Sequence, residues 1–147
     1  MSLEITKSKI FPLIGIWATA ESVKVLWPNQ EWNNSNTKPT DTQLWLEVFA
    51  DNTYSGKPCL GEPWERDEGI ITIVLYHPLG VAIASGRTKT GTQLAEDLKT
   101  ALQQKQIDKT VTFTGSVSEG GRDADLPFWR YNIFIPFRTD NLTGAKP

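Results

Sequence analysis

An α+β domain is predicted, built on a mainly antiparallel β-sheet of about five strands with two helices packed on one face. Three observations predict it. Only two stretches carry helical periodicity, most strands are joined by short or looped connections, and no linker splits the chain. The 147 residues form one domain, 1–147, and a chain of that size removes roughly 70% of its unfolded surface from water. A content of 39% hydrophobic and 22% charged residues excludes disorder for the bulk of it.

The first expected helix covers Ser2 to Ala20, with Leu3, Ile5, Ile10, Leu13, Ile14 and Trp17 at mostly helical intervals and Pro12 kinking, breaking or restarting it. Val23 to Trp27 is short and β-branched and ends in Pro28-Asn29, the pattern of a strand and a turn. Gln30 to Asp41 is polar, Asn-rich loop. Gln43 to Ala50 alternates, with Leu44, Leu46 and Val48 on one face and Trp45, Glu47 and Phe49 on the other. Asp51 to Glu68 holds Gly56, Pro58, Gly61 and Pro63 and reads as a long loop, of the kind that carries function in compact domains.

Gly69 to His77 is a continuous β-rich run expected at the centre of the sheet, covered on both faces. Leu94, Ala95, Leu98, Ala101 and Leu102 make Thr92 to Gln104 an amphipathic helix. Val111, Phe113 and Val117 mark a strand broken at Gly115, and Gly120-Gly121-Arg122-Asp123 is read as the turn after it. The last strand, Phe128 to Phe137, sets Trp129, Tyr131, Ile133, Ile135 and Phe137 on one face, and residues 138–147 are expected to form a frayed tail.

Fifteen basic and seventeen acidic residues leave a net charge of −2, so no cation excess exists to displace counterions from a nucleic acid. Cys59, the single cysteine, cannot form an internal disulfide, which points to a reducing cytoplasm. Ile10 to Ala20, the most apolar N-terminal stretch, is about half the ~20 residues a bilayer demands, so neither a membrane span nor a signal peptide is expected. The sequons at Asn33 and Asn141 then carry no weight.

Catalytic candidates are few. His77, the one histidine, ends a strand beside Pro78 and lacks an evident nucleophile to serve, while Cys59 has no cation beside it to lower its pKa. Gly86 to Thr92 has the outline of a phosphate loop, but Thr92 stands where the Walker lysine belongs, and a mobile basic loop is the better reading. The carboxylates between Glu62 and Glu68 lack calcium-loop spacing and include Arg66. No catalytic residue, cofactor or metal is expected, and the chain reads as a non-enzyme.

Six tryptophans, at 17, 27, 32, 45, 64 and 129, are the compositional anomaly. Trp17 and Trp45 fit a core; Trp32 and Trp64 fall in expected loops, where they would anchor protein interfaces or stack on sugar rings as in a carbohydrate-binding module.

Val25-Leu26-Trp27-Pro28-Asn29-Gln30-Glu31-Trp32, Pro39, Leu44-Trp45-Leu46-Glu47-Val48, Arg66-Asp67-Glu68-Gly69, Tyr76-His77-Pro78-Leu79-Gly80, Leu94-Ala95-Glu96-Asp97-Leu98 and Pro136-Phe137-Arg138 follow in an order that resembles the tail terminator, or tail completion, proteins of long-tailed bacteriophages. The resemblance spans roughly Val23 to Arg138. It implies a structural protein of the virion, assembled in the host cytoplasm, that forms a homo-hexameric ring at the top of the tail tube. The tail tube protein and the head–tail connector or neck proteins would be its partners, DNA would pass through without specific binding, and no membrane is involved. Interface residues under this reading are Trp32, Tyr54, Trp64, Arg66, Arg87 and Lys89. A neck adaptor of the same virion is the nearest alternative, a carbohydrate-binding module the rival of another class, and a small hydrolase a third.

Overall fold

The computed structural model describes residues 10–33, 37, 39–56, 64–103, 111–113, 115–123 and 126–142. Along them run α1 (Phe11–Glu21), β1 (Lys24–Leu26), β2 (Trp45–Gly56), β3 (Trp64–Pro78), α2 (Gly91–Gln103), β4 (Val111–Phe113), β5 (Ser116–Arg122) and β6 (Phe128–Leu142). The strands form one sheet in the order β1-β2-β3-β6, with β4 and β5 sharing the far edge of β6, so six strands fill five positions. All pairings are antiparallel except β1 with β2, which makes the sheet mixed and the fold α+β. Parallel neighbours cannot be joined by a tight hairpin, so the chain after β1 must return to the starting end before β2 begins.

Pro12 does not interrupt α1; it sits in the first turn, where its missing N–H has no intrahelical partner to lose. The helix ends in a Schellman pattern. Ser22 takes the left-handed conformation, Val23 N–H reaches Ala18 O at 2.8 Å, and Ser22 N–H reaches Thr19 O at 3.2 Å. The part of the expected first helix before Ile10 lies outside the described residues.

Both helices pack on one face of the sheet. Ile14 and Ala18 of α1 and Leu94, Ala95, Leu98 and Leu102 of α2 close over Leu46, Val48, Ile71, Ile73, Leu75, Ile133, Ile135 and Phe137. α2 starts with a capping box, since Gln93 N–H bonds Thr90 Oγ1 at 3.2 Å while Thr90 N–H bonds Gln93 Oε1 at 2.8 Å. Gly91 follows because the helix meets the sheet there. A Cβ at this position would lie 2.6 Å from the Tyr131 ring and 2.9 Å from that of His77.

Three expectations need correction. Asp51 to Glu68 is not loop throughout: 51–56 prolongs β2 and 64–68 opens β3, paired from Asp51↔Ile70 to Gly56↔Arg66 with a bulge between Asn52 and Tyr54, while 57–63 lie outside the described residues. Residues 139–142 are not a frayed tail but the end of β6, facing 64–67 of β3. These stretches lack apolar alternation in the sequence. They are held by ladder hydrogen bonds, with opposite-charge residues facing in the register at Arg66↔Asp140 and Glu68↔Arg138. Gly120 and Gly121 do not turn the chain either. They lie within β5, where Gly121 supplies φ +80° beside a bulge, and the turn comes after Arg122, with Leu126 N–H bonding Asp123 Oδ1 at 2.9 Å.

Gly91→Ala should therefore destabilise the fold by about 1–3 kcal/mol through overpacking against Tyr131 and His77. Gly15→Ala, whose new methyl would meet Trp27 at an ordinary 3.8 Å, should stabilise by about 0.5–1 kcal/mol. Chemical denaturation of both variants checks the contrast.

Candidate functional site: the uncovered half of the sheet

The face of the sheet away from the helices is closed at one end and open at the other. At the closed end Trp45 stacks on Tyr76 with ring centroids 4.0 Å apart and planes 10° apart, and Phe128 meets both edge-on at 6.2 Å. Trp32 covers Trp45 edge-on at 5.6 Å. The Tyr76 hydroxyl donates to Glu47 Oε1 at 3.0 Å. Burial first, then the Glu47 carboxylate, hold that phenol above its ordinary pKa, so it remains a neutral donor. Trp32 is thus a packing residue over this cluster as well as an expected interface residue.

At the open end the same face runs Phe49–Thr72–Phe134 in one register row and Ile70–Pro136 in the next. Phe49 is 43% exposed and Ile70 36%, Pro136 is exposed and Phe134 half-buried. These five positions are uncharged, and Asp51 completes the second row on β2, past the end of β1. The expectation that β3 is covered on both faces therefore holds for Val74 and Tyr76 and fails at Ile70. Beside this strip, where β1 stops at Leu26 and Pro28-Asn29 turns the chain away, a notch of about 350 Å³ opens between Trp27–Gln30 and Glu47–Ala50.

A second uncovered apolar surface lies on the other side of the domain. The outward stripe of α1 is Pro12, Ile16, Thr19 and Ala20, with Ile16 67% exposed, and the single charged residue of the helix is Glu21 at its last position. A helix apolar all round belongs under cover, and this one is covered on one side only.

The basic loop before α2 is anchored. Arg87 donates to Glu21 O and, at 2.7 Å, to Ser22 O, satisfying carbonyls at the end of α1. Lys89 reaches Asp97 at 2.7 Å and Glu21 at 3.7 Å, and its hydrogen bond to Asp97 raises its pKa. Ile83 bridges Thr90 in the same loop. Both cations are thus engaged within the chain. Tyr54, Trp64 and Arg66 sit in the paired arm of β2 and β3, with Tyr54 facing Glu68, Arg66 facing Gly56 and Asp140, and Trp64 facing Leu142 in the register. The sequence reading missed the Phe49–Phe134 strip and Ile16. The alternation placing Phe49 beside Trp45 was visible, but which part of that face lacks a cover depends on tertiary packing.

His77 is 3% exposed and directs Nδ1 at Pro78 O, 3.0 Å away, while Nε2 has no partner among the described groups. Burial lowers its pKa, so the fold favours the neutral ring. Among the described residues no group of three or more His, Cys, Asp or Glu is placed to hold a metal, and no helix is long and apolar enough to cross a membrane. Cys59 lies outside the described residues.

No protein-family model matches the chain, and no curated protein does. A solved protein structure that is 15% identical shares the fold, with a TM-score of 0.60 over 95% of this chain and 96% of that one.

The unfolded chain binds a proton at His77 below about pH 6.5, whereas the folded chain binds it only at lower pH. Stability from this group is complete above that value and is lost as the pH falls toward the folded-state pKa. Denaturation of wild type and His77→Gln across this range should show a steeper acid loss in the wild type; equal slopes would remove His77 as the cause.

Proposed function

We propose that this chain is a non-catalytic virion protein of the tail terminator type, forming a six-membered ring that caps the tail tube and joins the tail to the neck of the capsid. One observation carries the reading. A single domain presents two different uncovered apolar surfaces on opposite sides, the outer face of α1 and the open half of the sheet. Unlike patches meet head to tail, and head-to-tail contacts close into rings when the rotation allows.

The ordered sequence motifs support the same reading, and the net charge of −2 suits a conduit that lets DNA pass without holding it. The arm formed by the ends of β2, β3 and β6 is the part expected to reach a neighbour or the tube through Tyr54, Trp64 and Arg66. Burial of His77, with one ring nitrogen already engaged, leaves it poorly placed to act on a substrate. A carbohydrate module draws little from the geometry, since none of the described tryptophan side chains is among the exposed ones.

Electron microscopy of tails assembled without this protein tests the assignment. Tails of irregular length that fail to join capsids are expected. Tails of normal length that fail to join would assign the chain to the neck instead, and normal tails on capsids would reject both.

A further inference from the structure

We infer that the outer face of α1 in one copy packs on the open half of the sheet in the next, as the third layer that half of the sheet lacks. The occupant being another copy rests on the ring reading above. Chemistry and size favour it. The sheet strip of Phe49, Thr72, Phe134, Ile70 and Pro136 is apolar or neutral, as is the helix stripe of Pro12, Ile16, Thr19 and Ala20, and the one charged residue in the strip's two rows, Asp51, lies on β2 past the end of β1, at the rim of the sheet where a charge keeps its water. Sheets are covered by helices in two- and three-layer domains, and here both helices of the chain already pack on the other face.

An 11-residue helix is about 16 Å long and about 10 Å across, and the strip spans three strands whose outer members are about 10 Å apart. One such helix lies across the strip without overhang. With a stable contact needing about 800 Å² per partner, this pair is the anchor and the neighbouring arm supplies the rest. Net charge of −2 per copy opposes association only weakly. Because the two patches lie on opposite sides, a copy using both cannot close a two-fold dimer and continues to a third.

The test uses the full chain as wild type, Ile16→Glu, Phe49→Glu, and an equimolar mixture of the two variants. Thermal melts check that each folds, with Ile16→Ser and Phe49→Thr in reserve. Sedimentation up to about 1 mM should show wild type associating and each variant weakened at least about ten-fold. The mixture, retaining one intact pair of patches, should give a 1:1 dimer and nothing larger. A monomeric mixture beside an associating wild type, variants that associate like wild type, or a wild type monomeric throughout would overturn the contact. Native mass separates the two claims: a head-to-tail oligomer of another size keeps this contact and ends the hexamer reading, while six-membered rings indifferent to both substitutions keep the ring and end the contact.

Discussion

A mismatch of lengths governs this fold. β3 and β6 pair along fifteen residues, about 50 Å of ladder, while the helices of 11 and 13 residues are only about 16 and 20 Å long. Two such helices can shelter only part of one face. The consequences are a core centred on Ile71, Ile73, Leu75, Ile133 and Ile135, and an arm beyond it in which β2, β3 and β6 stay paired.

The opposite face solves its own problem at one end only. Aromatic stacking of Trp45 on Tyr76, sealed by Trp32 and Phe128, fills the region near β1, and the Tyr76–Glu47 hydrogen bond satisfies the phenol that this burial would strand, whereas Trp45 Nε1 has no partner among the described groups. Past Glu47 no comparable cover exists among the described residues, and Phe49 and Ile70 are left facing solvent. Meanwhile Arg87 and Lys89 tie the loop before α2 to the end of α1, fixing the helix whose other side carries Ile16. The proposed association rests on these two unmet burials, one on each side.

Much of the fold was legible because burial writes periodicity into sequence. The stripe Leu94–Leu98–Leu102 marked α2 and the alternation Leu44–Leu46–Val48 marked the inward face around β2, since both contact the same core. The arm was illegible for the complementary reason. Residues 51–56, 64–68 and 138–142 are polar or mixed strands without an apolar period, so local pattern gave a loop and a tail where the register gives a ladder. Trp32 illustrates the limit for sites: its loop position is plain in the sequence, its role as a lid on Trp45 only in three dimensions.

Hydroxyl-radical footprinting of the free protein and of assembled tails probes the two uncovered surfaces most directly. Ile16 on the helix side and Phe49, Ile70 and Phe134 on the sheet side should all lose reactivity together on assembly, while exposed residues away from both patches, such as Arg122, keep theirs. Unchanged reactivity at either surface in the assembled particle would contradict the account.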